Sequence, residues 1–203
     1  MAGSCDPFIG TAQRAEILRQ NLVKWGYPNF LVSVGAIQKL PASGLLYALV
    51  LVVAPCSGEG MFRKEPDAIL QWNDHKVNKC HFMQKEILQT ASALVKPGGF
   101  LIYSTCTFNS KENEESLESI TGESDFESMP LTSHKMSDSL KATKNGRNIF
   151  YRCLPHRIRG EGFSFSILKK ANREKAESTS TKKSGFKDAG KPNARYMMEK
   201  HLS

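Results

Sequence analysis

The stretch that decides the fold is LLYALVLVVAPCSGEGMFRK, residues 45–64, in which ten apolar residues lead directly into a glycine-containing turn. Residues 45–54 do not alternate apolar with polar side chains, so we expect a buried strand covered on both faces, as in a parallel sheet. A run of that length is too short to span a bilayer. The turn at 55–60 falls at the carboxyl end of this strand, where α/β proteins bind their ligands.

A helix and a second buried strand follow this turn. Residues 78–95 carry apolar side chains at helical spacing, and Pro97-Gly98-Gly99 ends the helix before an apolar strand at 100–104. A strand–helix–strand crossover is almost always right-handed, so the two strands should be parallel and should end at the same edge of the sheet. Cys56 and Cys106 would then lie close together. The predicted buried face of the helix consists of Cys80 as a packed thiol, Met83, Ile87, Ala91, Leu94 and Val95.

The remaining elements alternate helix and strand around this unit. Apolar residues at spacings of three and four, including Trp25, predict a helix over 11–25 that Gly26 and Pro28 end. Residues 121–148 are polar and weakly patterned, with at most one short strand near Phe126. The other predicted elements are a strand at 29–34, a loop at 35–44, a short helix at 66–73, a helix at 111–120 capped by Asn109 or Ser110 with glutamates favouring its dipole, and strands at 149–155 and 163–168.

The charge of the chain is unevenly distributed. Of 203 residues, 40% are hydrophobic, and the formal net charge is +8. Residues 169–203 hold ten Lys or Arg against four Asp or Glu. We expect one domain over 1–168 and a basic, disordered tail over 169–203, because the tail has too little apolar surface to offset its ordering entropy. Such tails are typical of proteins that bind polyanions, and a solvated linker without a partner is the alternative.

The five cysteines are widely spaced and include no C-x-x-C pair. This spacing argues against a zinc site, any other metal centre of that kind, and a disulfide framework. It indicates reduced thiols and therefore a cytoplasmic protein. The N-terminus has no basic segment followed by an apolar stretch, so no secretory signal is predicted.

Cys56 and Cys106 are the candidate reactive residues in this pattern. Taken singly, each is more typical of a structural thiol. At the ends of two parallel strands, however, the sequences Pro-Cys-Ser-Gly and Ser-Thr-Cys-Thr can present two thiols to one reacting group. A free thiol is only about a few per cent thiolate at pH 7, so a nucleophile there needs help from its surroundings.

Longer motifs around both cysteines resemble one enzyme family. They are APCSGEGMFRK at 54–64, then PGG at 97–99 with IYSTCTFN at 102–109 and ENE at 112–114, and finally PHR at 155–157 with GEGF at 160–163. This set is similar to the RNA cytosine-carbon-5 methyltransferases, particularly the bacterial 16S ribosomal RNA (RsmB/RsmF-like) branch. The family pattern is also matched near the N-terminus by Arg14-Ala15, Ile17-Leu18, Asn21 and Lys24-Trp25-Gly26. The resemblance covers roughly residues 10–170.

The resemblance implies a fold, a reaction and two catalytic residues. The fold would be the Rossmann-like sheet of class I methyltransferases, and the methyl donor would be S-adenosyl-L-methionine. Cys106 would be the nucleophile that adds to carbon 6 of cytosine, which makes carbon 5 reactive enough to accept a methyl group. Cys56 would assist product release. The target base must be unstacked to be reached.

The resemblance also implies an RNA partner, expected to be ribosomal RNA. The candidate RNA-binding residues are Arg63, Lys64, Arg157 and Arg159, together with the basic tail.

The sequence positions that bind the cofactor in the family differ in this chain. The chain contains no A-P-G-G-K turn and begins after the strand that carries it in the family. Val53 occupies the position of the aspartate in the family's D-A-P-C, and Asp6 is the sole candidate for the acidic group that contacts the ribose. The family's acidic position after its third strand falls within residues 34–37, which contain no acidic residue. We therefore expect a sheet that lacks its first strand, a partial catalytic domain, and no measurable binding of S-adenosylmethionine. The chain would be a truncated or partly degenerate family member, or an incomplete gene model.

Three functions follow as hypotheses. The first is an RNA cytosine-5 methyltransferase by resemblance, whose activity requires residues that this chain does not contain. The second is a catalytically inactive remnant that retains RNA binding. The third is a thiol hydrolase using Cys106, which the sequence disfavours because no histidine lies near the cysteine in a familiar pattern and His156 belongs to the methyltransferase motif.

Overall fold

The computed structural model describes residues 8–26, 29–122, 125–131 and 139–172. They form the predicted α/β fold. No helix within these ranges is both long and apolar enough to cross a membrane. The strands are β1 Phe8–Ile9, β2 Ser33–Val34, β3 Tyr47–Val53, β4 Val95–Thr105, β5 Phe126–Ser128, β6 Lys141–Asn145, β7 Asn148–Cys153 and β8 Phe163–Lys170; the α-helices are α1 Ala12–Lys24, α2 Asp67–Gln71, α3 Asp74–Leu94 and α4 Glu114–Thr121.

The described strands form one mixed sheet and one small parallel pair. The larger sheet has the order β3-β4-β8-β7-β6, with β5 beside β8, and β1 pairs with β2. Strands β3 and β4 are parallel, as the predicted crossover requires, and Val53 lies opposite Ser104. Strand β8 returns antiparallel to both β4 and β7. The carboxyl ends of β3 and β4 therefore meet at one edge of the sheet.

One face of the sheet packs against α3 and α4. Helix α3 begins after Asn73, whose side chain accepts a hydrogen bond from the Lys76 N–H at 2.8 Å, a typical N-cap. Tyr103 and Phe150 are fully buried and meet edge to face with ring centroids 6.0 Å apart. The core between the layers is Val52, Ala54, Leu88, Ala91, Val95, Leu101, Tyr103, Leu117, Ile120, Phe126, Phe150 and Leu168.

The prediction that residues 45–54 are covered on both faces is wrong. Val52 is buried against the helices, but Leu49, Leu51 and Val53 on the opposite face are 55%, 61% and 75% exposed. Strand β3 lies at the end of the sheet, and no described element covers that face. The exposed surface continues across the sheet to Phe100 and Phe163. Continuous apolar sequence thus marks the edge strand of a half-covered sheet.

Several element boundaries also differ from the predictions. Of the predicted strand at 29–34, only Ser33–Val34 forms one, and a 3-10 helix, Ile37–Ser43, occupies the predicted loop at 35–44. Strand β4 starts at Val95, so the Pro97-Gly98-Gly99 sequence lies inside the strand, where Gly98 has φ near 70° and the pairing with β3 shifts register. A glycine that tolerates positive φ allows this irregularity without ending the strand.

The described part of the polar region at 121–148 contains one more strand than predicted. Besides β5, at the expected Phe126, strand β6 forms over Lys141–Asn145. Its side chains are mostly exposed, so it carries no apolar alternation to reveal it. The helix predicted over 11–25 is confirmed as α1, except that Trp25 lies beyond its end and is 77% exposed. The predicted tail lies outside the described residues apart from its first four positions, where β8 continues to Lys170.

A matched pair of leucines tests the half-covered sheet. Leu101→Ala should lower the free energy of unfolding by about 2–5 kcal/mol, because Leu101 is fully buried. Leu51→Ala on the neighbouring strand should change it by less than about 0.5 kcal/mol, because its side chain already contacts solvent. Urea unfolding of both variants measures the difference. Equal losses would contradict the exposed face.

Candidate active site at the ends of two parallel strands

The predicted meeting of Cys56 and Cys106 is present. Their sulfur atoms are 2.7 Å apart, and the Cys106 N–H donates to the Cys56 sulfur at 3.1 Å. Both are free thiols and both are half-buried, whereas Cys80 and Cys153 are buried in the protein. Cys80 is thus the packed thiol that was predicted. The parallel pairing of β3 and β4 places two partly accessible sulfur atoms side by side.

The two thiols differ in acidity. A hydrogen bond from the Cys56 thiol lowers the pKa of Cys106 to about 7, although burial opposes the shift. The same bond raises the pKa of Cys56, and burial raises it further, while the N–H of Cys106 offsets part of the effect. Cys106 is therefore the more acidic of the two thiols, and Cys56 is the one that donates to it.

Backbone contacts hold the two cysteine segments together. The Gly60 N–H donates to the Cys106 carbonyl at 2.8 Å. Ser57 Oγ and Thr107 Oγ1 are 3.1 Å apart, and both side chains are buried. A Cβ at Gly60 would overlap the carbonyl oxygen of Gly162, so this close approach requires glycine.

The carboxylates of Glu59 and Glu112 each accept hydrogen bonds from the segment of the other cysteine, across the junction of the Cys56 and Cys106 segments. Glu59, from the Cys56 segment, accepts the N–H of Phe108 at 2.6 Å and that of Asn109 at 3.0 Å, and its other oxygen accepts Asn109 Nδ2 at 3.0 Å. Glu112, from the Cys106 segment, accepts the Ser57 N–H with both oxygens, at 2.7 and 3.0 Å. Burial raises the pKa of Glu112, although the hydrogen bonds from Ser57 oppose that shift.

The segment after Cys106 is also fixed to the sheet. The Thr107 carbonyl accepts Ser164 Oγ at 2.6 Å and Asn113 Nδ2 at 3.2 Å. Thr105 Oγ1 donates to Asn113 Oδ1 at 2.7 Å. The buried Asn113 therefore joins both sides of the Cys106 segment. The helix predicted from Lys111 with a cap at Asn109 or Ser110 begins instead at Glu114, after Asn113. Asn109 Oδ1 accepts the Glu112 N–H at 2.9 Å in the turn before α4.

A buried ion pair supports the same segment from β7. Arg152 binds both oxygens of Glu114 at 2.8 Å, and its Nε donates to the Phe108 carbonyl at 2.9 Å. Thr143 Oγ1 donates to Glu114 at 2.5 Å. Burial alone would raise the pKa of Glu114, but the hydrogen bonds and charge of Arg152, with Thr143, bring it below its ordinary value. Glu112 and Glu114 thus make specific buried contacts, where the sequence predicted helix-dipole residues.

Helix α3 supports the Cys56 segment. Gln84 is fully buried, and its Nε2 donates to the Pro55 carbonyl at 2.8 Å. Ser116 Oγ donates to Gln84 Oε1 at 3.0 Å, and His81 Nδ1 lies 2.9 Å from the same hydroxyl. Cys106 has a second sulfur as its hydrogen-bond partner and not an imidazole. This arrangement does not support a cysteine–histidine hydrolase.

The four predicted RNA-binding residues lie in two neighbouring segments. Arg63 donates to the carbonyl oxygens of Pro155 and Gly160, and Lys64 pairs with Glu161 at 3.1 Å. The turn they contact carries Arg157 and Arg159, both exposed. The structure therefore brings all four together, but it uses Arg63 and Lys64 as supports of the 155–161 turn.

The predicted cofactor positions show a poor fit to S-adenosylmethionine. Val53 ends β3 with its side chain 75% exposed and cannot accept a hydrogen bond there. Gly35 and Ala36 follow β2, and neither offers a polar side chain. Asp6 lies outside the described residues. At these strand ends the described residues do not fit the cofactor.

The arrangement of strands defines the class of the protein. A crystal structure of a methyltransferase homologue from Pyrococcus horikoshii is 25% identical, with a TM-score of 0.64 over 83% of this chain and 53% of that one. The structure of PH0851 is 27% identical, with a TM-score of 0.74 over 83% of this chain and 37% of that one. The fold is thus that of the class I, Rossmann-like methyltransferases.

Sequence comparison identifies the family. Residues 10–169 match the 16S rRNA methyltransferase RsmB/F family, and the chain belongs to it. Ribosomal RNA small subunit methyltransferase F of Erwinia tasmaniensis is 30% identical over 164 residues, which are 79% of this chain and 34% of that protein. The Serratia proteamaculans protein of the same name is 36% identical over 111 residues, or 52% of this chain and 22% of its own length. This chain spans about a third of the length of the first relative.

The sequence did not predict the supports of the two cysteines. Glu59, Glu112 and Glu114 were part of the family motifs, but nothing in their spacing assigned them partners. Their partners are distant along the chain: Glu59 binds residues 49 and 50 positions away, and Arg152 binds Glu114 from 38 positions away. An acidic residue three positions after Cys56 was the available signal for Glu59, and a charged residue within an otherwise apolar strand was the signal for Arg152.

Proposed function

We propose that this chain carries the two-thiol machinery of an RNA cytosine-carbon-5 methyltransferase acting on ribosomal RNA. The observation that carries the proposal is the pair of half-buried sulfur atoms 2.7 Å apart, one of which has a pKa of about 7. Membership of the RsmB/F family supports the reaction class and the kind of RNA.

Cys106 is the nucleophile in this proposal. Its thiolate adds to carbon 6 of an unstacked cytosine, so a carbon–sulfur bond forms and the electron pair of the carbon 5–carbon 6 double bond moves toward carbon 5 and the ring. Carbon 5 then behaves as an enamine carbon and can attack an electrophile. A pKa near the ambient pH favours this step, because the thiolate is then both populated and nucleophilic.

Cys56 acts at the release step. After carbon 5 has gained a substituent, its proton leaves to a water molecule, the double bond re-forms, and the bond from carbon 6 to the Cys106 sulfur breaks. The departing sulfur regains negative charge, and the Cys56 thiol next to it donates a hydrogen bond that stabilises this charge. The raised pKa of Cys56 keeps it in the donating form.

The methyl group would come from S-adenosylmethionine, the methyl donor of this class of enzyme. Because Val53, Gly35 and Ala36 do not fit that cofactor, our assignment for this chain is confined to the thiol steps. The alternative is a catalytically inactive protein that retains RNA binding through Arg157, Arg159 and their surroundings. The observation that favours it is the apolar side chain of Val53 at the cofactor edge.

Hydrogen exchange at carbon 5 separates the two functions without any methyl donor. The chain is incubated in deuterium oxide with a transcript of small-subunit ribosomal RNA, and digested nucleosides are analysed by mass spectrometry. Addition of Cys106 lets carbon 5 accept a deuteron, and loss of the original proton with expulsion of the thiol leaves deuterium in the cytosine.

We expect deuterium with the wild-type chain and none with Cys106→Ser. Cys56→Ala should exchange more slowly and accumulate a protein–RNA adduct. Exchange by Cys106→Ser would contradict our assignment of the nucleophile. RNA binding without exchange by the wild type would establish the alternative, and an adduct with Cys106→Ser but not with Cys56→Ala would reverse the two roles.

The 155–161 turn, which carries Arg157 and Arg159, gives a separate prediction about RNA binding. Arg157→Ala and Arg159→Ala should each lower the slope of log affinity against log salt by about 0.7–0.9, because one phosphate contact is lost. Arg19→Ala on α1, where Arg19 already pairs with Glu16, should leave the slope unchanged. Filter binding at four salt concentrations measures it. A slope that stays the same in both turn variants would show that the turn does not contact phosphate.

A further inference from the structure

Glu59 and Glu112 reach in opposite directions across the junction of the two cysteine segments. Each comes from the segment of one cysteine and accepts backbone N–H groups from the segment of the other. Neither carboxylate hydrogen-bonds to a sulfur atom, so neither is placed to take a proton from a thiol.

We propose that Glu59 and Glu112 are a reciprocal pair of positioning residues, which hold the Cys56 and Cys106 segments in the register that brings the two sulfur atoms together. This inference rests on the proposed function for its purpose, because the two thiols must act in sequence on one base. Its geometry and its test involve only the protein.

The acceptor pattern at Glu59 requires a carboxylate. One oxygen receives the N–H groups of Phe108 and Asn109, and the other receives Asn109 Nδ2. A glutamine would therefore point its own NH2 group at a donor in either orientation. Flipping the Asn109 amide would relieve one conflict but would turn its NH2 toward the Glu112 N–H, which Asn109 Oδ1 now accepts. Glu59→Gln thus removes part of the contact at nearly constant volume.

Glu112 gives the stronger argument for a positioning role, because its negative charge disfavours the thiolate form of Cys106. Its side chain is fully buried, and its negative charge raises the pKa of Cys106. A carboxylate kept near a nucleophilic thiol only for its charge would disfavour the thiolate. Both of its oxygens, however, bind the N–H of Ser57, which directly follows Cys56. Holding Cys56 against Cys106 preserves the hydrogen bond that lowers the pKa of Cys106 the most.

The two explanations of Glu112 predict opposite shifts in the pKa of Cys106 when Glu112 is replaced by glutamine. The groups that influence Cys106 are Cys56, Glu112 and Lys76, of which Cys56 and Lys76 lower its pKa and Glu112 raises it. If Glu112 acts only through its charge, Glu112→Gln lowers the pKa of Cys106. If Glu112 positions Cys56, the same variant weakens the contact between the sulfur atoms and raises the pKa of Cys106 toward the ordinary value of 9.0.

Alkylation of the full chain with iodoacetamide, followed from pH 5 to 10, measures this pKa. The thiolate displaces iodide, and mass spectrometry of the Cys106 peptide gives the rate separately from the other cysteines. We expect Glu59→Gln and Glu112→Gln to move the midpoint upward from about 7. At pH 7 the rate should fall about five- to ten-fold for a complete shift, since lower thiolate population is partly offset by higher nucleophilicity.

Glu16→Gln is the matched control, because Glu16 binds Arg19 and Gln20 on the exposed face of α1. It should leave the profile unchanged. A midpoint that stays near 7 or moves downward in either variant would overturn the proposal. Near-UV circular dichroism establishes that each variant is folded; if Glu112→Gln does not fold, Glu59→Gln at its half-buried position decides the result. The outcome is independent of hydrogen exchange in RNA, so either proposal can fail alone.

Discussion

Replacing Arg152 with methionine is expected to lower the free energy of unfolding by about 3–5 kcal/mol. The side chains of Arg152 and Glu114 are 8% and 5% exposed and share two bonds of 2.8 Å. Methionine fills similar space but leaves the carboxylate buried without its cation, and it also leaves the Phe108 carbonyl without its donor. The cost is mainly that of the uncompensated buried charge.

A double variant separates charge from packing. Arg152→Met with Glu114→Gln removes the buried charge, so it should recover a large part of the stability that Arg152→Met loses. Arg19→Met, which breaks the exposed pair with Glu16, should show no measurable loss. Guanidinium unfolding of the four proteins gives the comparison. Failure of the double variant to recover stability would mean that Arg152 acts through packing and not through Glu114.

The same pair predicts a dependence on pH. The pKa of Glu114 in the folded protein lies below its ordinary value of 4.5, so its contribution to stability is present above that pH and is lost as the pH falls. Without Arg152, burial should raise the pKa of Glu114 above its unfolded value. The loss caused by Arg152→Met should therefore shrink between pH 7 and pH 4. A loss that is constant with pH would contradict the ionised pair.

The fold was largely predictable because its signals are local. Residues 12–24 and 74–94 form helices where apolar spacing indicated them, and the right-handed crossover rule correctly placed β3 parallel to β4. The meeting of Cys56 and Cys106 followed from that rule. What local pattern cannot supply is the position of a strand within a sheet. The apolar run at 45–54 was therefore interpreted as a covered central strand, although β3 lies at the edge of the sheet.

The site was only partly predictable for a related reason. The identities of its two sulfur atoms follow from the motifs, but the acidity of Cys106 depends on a contact with a residue 50 positions away. The supports given by Glu59, Glu112 and Arg152 are likewise long-range contacts. Sequence periodicity reports which face of an element is buried, and it does not report which buried polar groups pair. The polar strand β6 was missed because its exposed side chains give no periodic signal.

Adding one methyl group at Gly60 is expected to disrupt the junction of the two cysteine segments. The new Cβ in Gly60→Ala would overlap the backbone oxygen of Gly162 and lie 3.2 Å from that of Cys106. Neither is a flexible side chain that could move aside. Overpacking of this kind costs about 1–3 kcal/mol, and occasionally more, and a clash with backbone belongs at the upper end. The bond from the Gly60 N–H to the Cys106 carbonyl should be lost in the same displacement.

Gly58→Ala, two residues earlier, is the informative comparison. Gly58 has φ near 88°, but a Cβ there would meet nothing within 4 Å. Its cost is therefore conformational strain of about 1–2 kcal/mol and not displacement of a neighbour. We expect Gly60→Ala to be the more destabilised of the two in urea unfolding and to lose the fast alkylation of Cys106 at pH 7, whereas Gly58→Ala should keep a midpoint near 7. If Gly58→Ala alone slowed Cys106, the strained turn, and not the contact of Gly60 with Gly162, would govern the distance between the two sulfur atoms.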